Sequence, residues 1–339
     1  MNYARTIAVT AVIVFIIGLF YWALYSPKQD ISQRIYQTIK EQEKQADLAF
    51  KKVTFEEISA GNKYWQLVAD SATINKSTGM ATLRETEGTF FKKGKAVLKF
   101  HSPAALWDMK KKEILLDKPL GYDVMLEKQI QSLIRSLRSR PLSVFTLPQQ
   151  YKKGFGYWFQ AKNLSWKLED EQLVCTGGIV LNKGDITAHA DTLSGDVEFK
   201  KVMLEGSPRV VITPDGAAPV TFEAQSFLIE SQQDLFTAQG NPVVTWEDAT
   251  LLSDTARYYQ ADKKLALQGN VRVNYRDISA WGDSADYFTD RQNIVFSGNT
   301  RAQQGENKLS SQQVNVSLKD RKISLLGKSK VIVNSEEIK

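Results

Sequence analysis

A spacing of 29 residues governs the C-terminal half of this 339-residue chain. Gly177, Gly206, Gly269, Gly298 and Gly327 fall on it, and Gly240 stands 34 residues after Gly206 and 29 before Gly269. The five surplus residues fit into the turn-rich stretch Thr213–Pro219 (TPDGAAP). Four and two positions before each glycine the residues are apolar: Leu173/Cys175, Val202/Leu204, Phe236/Ala238, Leu265/Leu267, Ile294/Phe296 and Ile323/Leu325. Beyond the glycines come Leu181, Val210/Ile212, Val244/Trp246, Val271/Val273/Tyr275 and Val331/Val333. Alternation of period two puts these on one face of each strand, provided the glycine does not shift the register. Sixteen positions before each glycine stands a small residue, Ala161, Ala190, Ala224, Ser253, Gly282 or Ser311, and Asp191, Asp254 and Asp283 follow three of them. Each repeat is therefore a small-residue strand such as AWGDSADYF and an apolar strand such as NIVFSGNTRA. The glycine reads as a bulge or bend that turns a corner, in preference to a phosphate-binding loop. A strand pair of this kind cannot bury its own face, so the pairs must stack.

The rest of the chain frames this array. Residues 53–124 have the same β texture with looser spacing and form a first β segment; residues 157–335 hold the repeat array. Between them, 125–156 reads as an amphipathic helical insertion, with Leu126, Ile130, Leu133, Ile134 and Leu137 on one face and Lys128, Arg135 and Arg138 around it. It either covers an open sheet edge or touches a membrane or partner surface. Residues 6–25 (TIAVTAVIVFIIGLFYWALY) carry no charge, and twenty helical residues span about 30 Å, a bilayer core. Tyr21, Trp22 and Tyr25 sit at the far end as an aromatic belt would, and the exit WALYSP lacks a small-x-small cleavage site. An uncleaved transmembrane helix follows, with a cytoplasmic tail at 1–5 and the bulk of the chain exported. Residues 26–52 read as a helical stalk with Ile31, Ile35 and Ile39 in one stripe, either solvated or docked on a partner.

Composition supports a protein that does no chemistry. Two histidines, His101 and His189, lack ligand or triad spacing, and one cysteine excludes a disulfide framework and a Cys-based zinc site. No P-loop, GxSxG, HExxH or dinucleotide fingerprint occurs. Residues 1–160 hold 24 Lys/Arg against 14 Asp/Glu and residues 161–339 hold 20 against 24, which is too mild for a nucleic-acid binder. No cofactor or metal is implied, and Cys175 falls in a core register. The Asp191/Asp254/Asp283 set would be catalytic on a polysaccharide-cleaving solenoid; the simpler reading is hydrogen bonding to neighbouring backbone.

The tail, anchor and stalk lead into Gly61-Asn62-Lys63-Tyr64-Trp65-Gln66-Leu67-Val68-Ala69-Asp70-Ser71-Ala72, which resembles the start of the periplasmic domain of the LptC family of the lipopolysaccharide export bridge. Leu252 to Tyr259 leading to Leu267-Gln268-Gly269-Asn270-Val271 is similar to the repeat shared by LptA, LptC and OstA-like proteins. The resemblance implies an elongated open β-jellyroll, mainly β, whose apolar groove carries the acyl chains of lipopolysaccharide. The implied groove lining is Val202, Leu204, Val210, Ile212, Val244, Leu265, Leu267, Val271, Val273, Phe296, Leu325 and Val331. It also implies a single-pass inner-membrane location and a non-enzymatic role. The implied partners are an ABC transporter complex of the LptBFG type and an LptA-like bridge protein or outer-membrane translocon, joined edge to edge. This chain is longer than a typical member, so two tandem jellyrolls or one continuous groove of 40–80 Å are both open, on the order of sixteen strands about 4.8 Å apart. An anchored polysaccharide-binding solenoid and a structural envelope scaffold are the rival functions.

Overall fold

The computed structural model describes residues 37–41, 46–136, 156–213 and 218–333. The expected transmembrane helix at 6–25 lies outside the described residues, as do most of the stalk and residues 137–155 of the insertion. Among the described residues no helix is long and apolar enough to cross a membrane.

The chain opens with four long strands, β1 (Leu48–Ser59), β2 (Asn62–Asn75), β3 (Met80–Lys92) and β4 (Lys95–Asp108). Short β5 (Glu113–Asp117) and β6 (Leu120–Asp123) follow, then helix α1 (Glu127–Ser136). After the insertion come short β7 (Tyr157–Gln160) and β8 (Asn163–Lys167), then long β9 (Gln172–Lys183) and β10 (Ile186–Asp196). Eight short strands come next: β11 (Lys201–Glu205), β12 (Arg209–Ile212), β13 (Val220–Glu223), β14 (Ser226–Glu230), β15 (Leu235–Gln239), β16 (Val243–Trp246), β17 (Ala249–Leu252) and β18 (Thr255–Tyr259). Long β19 (Lys264–Tyr275), β20 (Ile278–Phe288), β21 (Asn293–Gln304) and β22 (Asn307–Ser317) precede short β23 (Lys322–Leu326) and β24 (Lys330–Ile332). The turn-rich stretch 213–219 falls in the sequence between β12 and β13, and its residues 214–217 lie outside the described residues.

Every pairing is antiparallel, and five of the ten long strands, β4, β9, β10, β19 and β22, divide one edge between two short partners. The first half of β4 pairs with β6 and the second with β5; β9 pairs with β8 and then β7; β19 pairs with β18 and then β17. Two walls result. One runs through β5, β8, β11, β14, β15, β18 and β23, the other through β6, β7, β12, β13, β16, β17 and β24. Among the described residues ten long strands cross both walls and fourteen short ones cross one wall each, which gives seventeen rungs per wall. At about 4.8 Å per spacing the array is about 77 Å long.

The corner between the walls has one recurring construction. In β19 and β20, Gln268 faces Ser284 and Val271 faces Gly282, so Gly269 and Asn270 oppose the single residue Asp283. The same two-against-one count recurs between β9 and β10 and between β21 and β22. Such a bulge bends the strand and increases its twist. The glycine strand keeps its inward parity across the corner, with Leu267 and Val271 both buried, whereas the facing strand switches from Ala280 to Ala285. Gly269 (φ 79°) and Asn270 (φ 46°) are both left-handed, and a Cβ at Gly269 would overlap the Asp254 carboxylate. Asp191 and Asp283 lie over Gly206 and Gly298 in the same way. The Asn270 amide donates to Asp254 (3.0 Å) and the Asn299 amide to Asp283 (2.8 Å), so the acceptors expected to bind backbone meet asparagine side chains instead.

One hydrophobic cluster runs from Trp65 to Leu318. The insertion interrupts the chain but not the stack, because β5 pairs with β8 and β6 with β7 across it. The two β segments therefore form one continuous array. Leu126, Ile130 and Ile134 pack on Leu120, Tyr122, Trp158 and Val180, and Lys99 pairs with Glu127. Helix α1 thus covers the outer face of a wall, neither the open sheet edge nor the membrane or partner surface expected, because an outward patch of Leu120, Tyr122, Trp158 and Val180 is too apolar to face water. The stalk also ends earlier than expected, since β1 begins at Leu48 rather than Val53. Ile39, in the helical turn 37–41, is buried against Ala104 beside Leu115. This part of the stalk docks on the chain's own wall.

Gly269→Ala should destabilise the fold by about 2–4 kcal/mol in urea unfolding, from left-handed strain plus overlap with Asp254. Gly61→Ala, equally left-handed (φ 76°) but with open space around its Cβ, should cost only about 1 kcal/mol.

Candidate functional site: a two-walled apolar interior

Period-two strands bury one face each, and the corners bring those faces together. Val202, Leu204, Leu265, Leu267 and Phe296 point inward from one wall, and Val210, Ile212, Val244, Val271 and Val273 from the other. All ten are expected lining residues and all are buried. The remaining two expectations fare differently. Leu325 is only partly buried, and Val331 is 52% exposed. Both have the expected inward register, Leu325 opposite Val314 and Val331 opposite Leu309, but they lie on the last rungs among the described residues. Val331 is therefore not part of the enclosed lining. With Leu326, Ile332 and Val333 it forms an exposed apolar end. At the other end β1 pairs only with β2 and exposes Leu48, Phe50 and Ile58.

Aromatic side chains close the side of the interior away from the glycine corners. Phe222 meets Tyr258 across the walls with ring centroids 6.3 Å apart, and Trp246 meets Tyr287 at 6.0 Å. Phe199, in the turn between β10 and β11, is left-handed (φ 54°) and stacks on Tyr157 at 4.3 Å and Phe159 at 5.2 Å. Tyr258, Tyr287, Phe222 and Phe199 escaped the glycine-anchored register. Tyr258 and Tyr287 each stand four residues after a corner Asp, a signal lying on the small-residue strand. The walls are packed against each other. The space bounded by Val210, Ile212, Phe222, Phe227, Phe236, Ala238, Ala256 and Tyr258 is a cavity of about 10 Å³, room for about one water.

Cys175 is fully buried, and burial pushes its thiol pKa up, so it remains a neutral wall residue. Tyr157 and Tyr287 are also pushed up, first by burial and then by nearby carboxylates: Asp123, Asp196 and Glu198 for Tyr157, and Glu247 for Tyr287. His101 is buried with Nε2 3.9 Å from a Glu85 carboxylate oxygen, while His189 lies in an outward row opposite Val180 and Arg209. The two histidines are not brought together. Among the described residues no group of His, Cys, Asp and Glu is arranged to hold a metal ion.

Residues 159–322 match the family described as LptA/(LptD N-terminal domain) LPS transport protein. The distal array is LptA-like. This stretch is thus similar to OstA-like β-jellyroll proteins, and it begins in β7 and ends at the first residue of β23. The segment 61–72 that resembles LptC lies outside it, so the LptA and LptD N-terminal type is the supported relation, and LptC specifically is not. Among solved structures, the chain is similar to LptH, the LptA homologous periplasmic component of the lipopolysaccharide transport device from Pseudomonas aeruginosa. The identity is 14%, over 34% of this chain and 96% of that one, with a TM-score of 0.33. No curated protein sequence matches the chain.

Phe296→Ala should cost about 3–5 kcal/mol in chemical denaturation, as a fully buried ring is lost between the walls. The raised tyrosines give a pH prediction. Stability that depends on neutral Tyr157 and Tyr287 is fully present below the ordinary tyrosine pKa of about 10 and is lost as pH rises above it. Circular dichroism should show alkaline unfolding coincident with tyrosine ionisation at 295 nm. Ionisation of all tyrosines near pH 10 with the fold intact would contradict this.

Proposed function

We propose that the chain is a non-enzymatic conduit for lipopolysaccharide, carrying acyl chains between its two walls from the inner toward the outer membrane. The observation behind this reading is the continuous apolar interior, in register over seventeen rungs, within an LptA-like array. A lipid crosses an aqueous compartment only if its chains stay covered, at about 0.8 kcal/mol per CH₂ group. Contacts between Val, Leu and Phe side chains and an acyl chain have no direction, so the lipid can slide. In this reading the 6–25 segment anchors the chain in the inner membrane, the array lies in the periplasm, and an LptBFG-type transporter supplies the energy. The unpaired edges at β1 and at β23 and β24 are where neighbouring jellyrolls, LptA-like or of the outer-membrane translocon, would add strands.

The 10 Å³ cavity sets a condition on this function. Acyl chains fit only if the walls part at the aromatic side while the glycine corners hold. The same packing favours a second reading, a structural envelope scaffold whose interior stays filled.

A photocrosslinker at Leu267 separates the two. A conduit gives lipopolysaccharide adducts from Leu267 and far fewer from its outward neighbour Gln268. Adducts to protein alone would favour the scaffold. Deleting the chain from Gly156 onward should abolish export of the lipid to the outer membrane, and unchanged export would rule out an extended bridge.

A further inference from the structure

The outer face of the distal wall carries a site of different chemistry. Strand register places Arg272, Trp281, Arg301, Ser310 and Lys330 directly opposite one another in one row across β19, β20, β21, β22 and β24. The adjacent outward row is Asn274, Ser279, Gln303, Lys308 and Ile332. Most of these side chains line a concave groove of about 640 Å³, with Asn270, Asp283 and Asn299 at its corner end. Its size suits a small ligand rather than a bare ion.

An outward sheet face is polar by default, so the charge pattern decides whether this groove is special. Farther up the same row, Arg209 sits opposite Glu223 at 3.5 Å. Elsewhere on the outer surface Lys264 pairs with Asp286 at 3.8 Å and Arg276 with Asp248 at 2.9 Å. In the groove, Arg301 is flanked by Trp281 and Ser310, Lys330 faces Ser310, and Lys308 lies between Gln303 and Ile332. Among the described residues none of these three cations has a carboxylate partner. The one acid of the groove, Asp283, already accepts from the Asn299 amide at 2.8 Å. Trp281 is half-buried, and the Arg272 guanidinium carbon lies 5.6 Å from its ring centre.

We propose that this groove binds a phosphorylated saccharide. Arg301, Lys308 and Lys330 would take the phosphate oxygens by charge-assisted hydrogen bonds, Gln303, Ser310 and Asn270 the sugar hydroxyls, and Trp281 the apolar face of a ring. That the saccharide is the headgroup of the transported lipid rests on the conduit reading; the groove chemistry does not.

The test uses the full chain and a deacylated, bisphosphorylated glucosamine disaccharide, which has no acyl chains to engage the interior. Titration calorimetry should show saturable binding that weakens with added salt. Binding should be about tenfold or more weaker in the triple variant R301Q/K308Q/K330Q. Chitobiose, which lacks phosphate, should not bind, and W281L should weaken the disaccharide without changing a response to inorganic phosphate. An unchanged triple variant, absence of saturable binding, or equal affinity for inorganic phosphate would each overturn the proposal. Lipopolysaccharide crosslinking at Leu267 in the triple variant reports on the interior separately. Adducts there with no disaccharide binding would remove the groove and leave the conduit standing.

Discussion

The distal array depends on placing two residues opposite one at the corner between the walls. A sheet of twelve-residue strands without that mismatch would be a flat ribbon with one apolar face in water. In β9, β19 and β21 the extra residue bends the strand so that its halves face each other, and the apolar residues on both sides of the bend meet. Gly269 and Gly298 accept the left-handed angle, and Asp254 and Asp283 occupy the space their missing Cβ atoms leave. A corner aspartate and an asparagine amide then fasten adjacent repeats together outside the core. The hinge and the cover of the interior are thus built from different residues.

This separation matters for a groove that is closed in the structure. The tight side of the interior rests on aromatic contacts such as Phe222 with Tyr258 and Trp246 with Tyr287, which are individually modest, about 0.5–1.5 kcal/mol beyond their area. The corner side rests on backbone pairing and steric fit. Opening forces would therefore act on the weaker side first, with the backbone ladders of both walls intact. Near the junction of the proximal and distal strands Phe199 adds to that closure by stacking on Tyr157 and Phe159.

Much of the architecture was legible because it obeys period two. The glycine spacing identified the strand pairs and the small residues opposite them, and parity alone put ten of the twelve candidate residues on buried inward faces. Parity survived the bulge on the glycine strand but not on its partner, so Tyr258 and Tyr287, which lie past the corner on the partner strand, were missed. Parity also says nothing about where an array stops, which is why Val331 was placed inside although the last rung leaves it exposed. The face covered by α1 was hidden for another reason: Tyr122, Trp158 and Val180 come from three strands that meet only after the sheet has formed. The distal groove is likewise a property of register across five strands, invisible in any one of them.

The repeat also acts as a ruler. Moving 29 residues along the chain adds two rungs to each wall, or about 9.6 Å of array. Each corner has a left-handed glycine facing a side chain from the neighbouring strand, an aspartate at Gly206, Gly269 and Gly298 and a glutamine at Gly240 and Gly327. The distance between the two ends of such a protein therefore changes only in increments of this size. Duplicating or losing one unit changes the length of the array by this step, with no redesign of the interior.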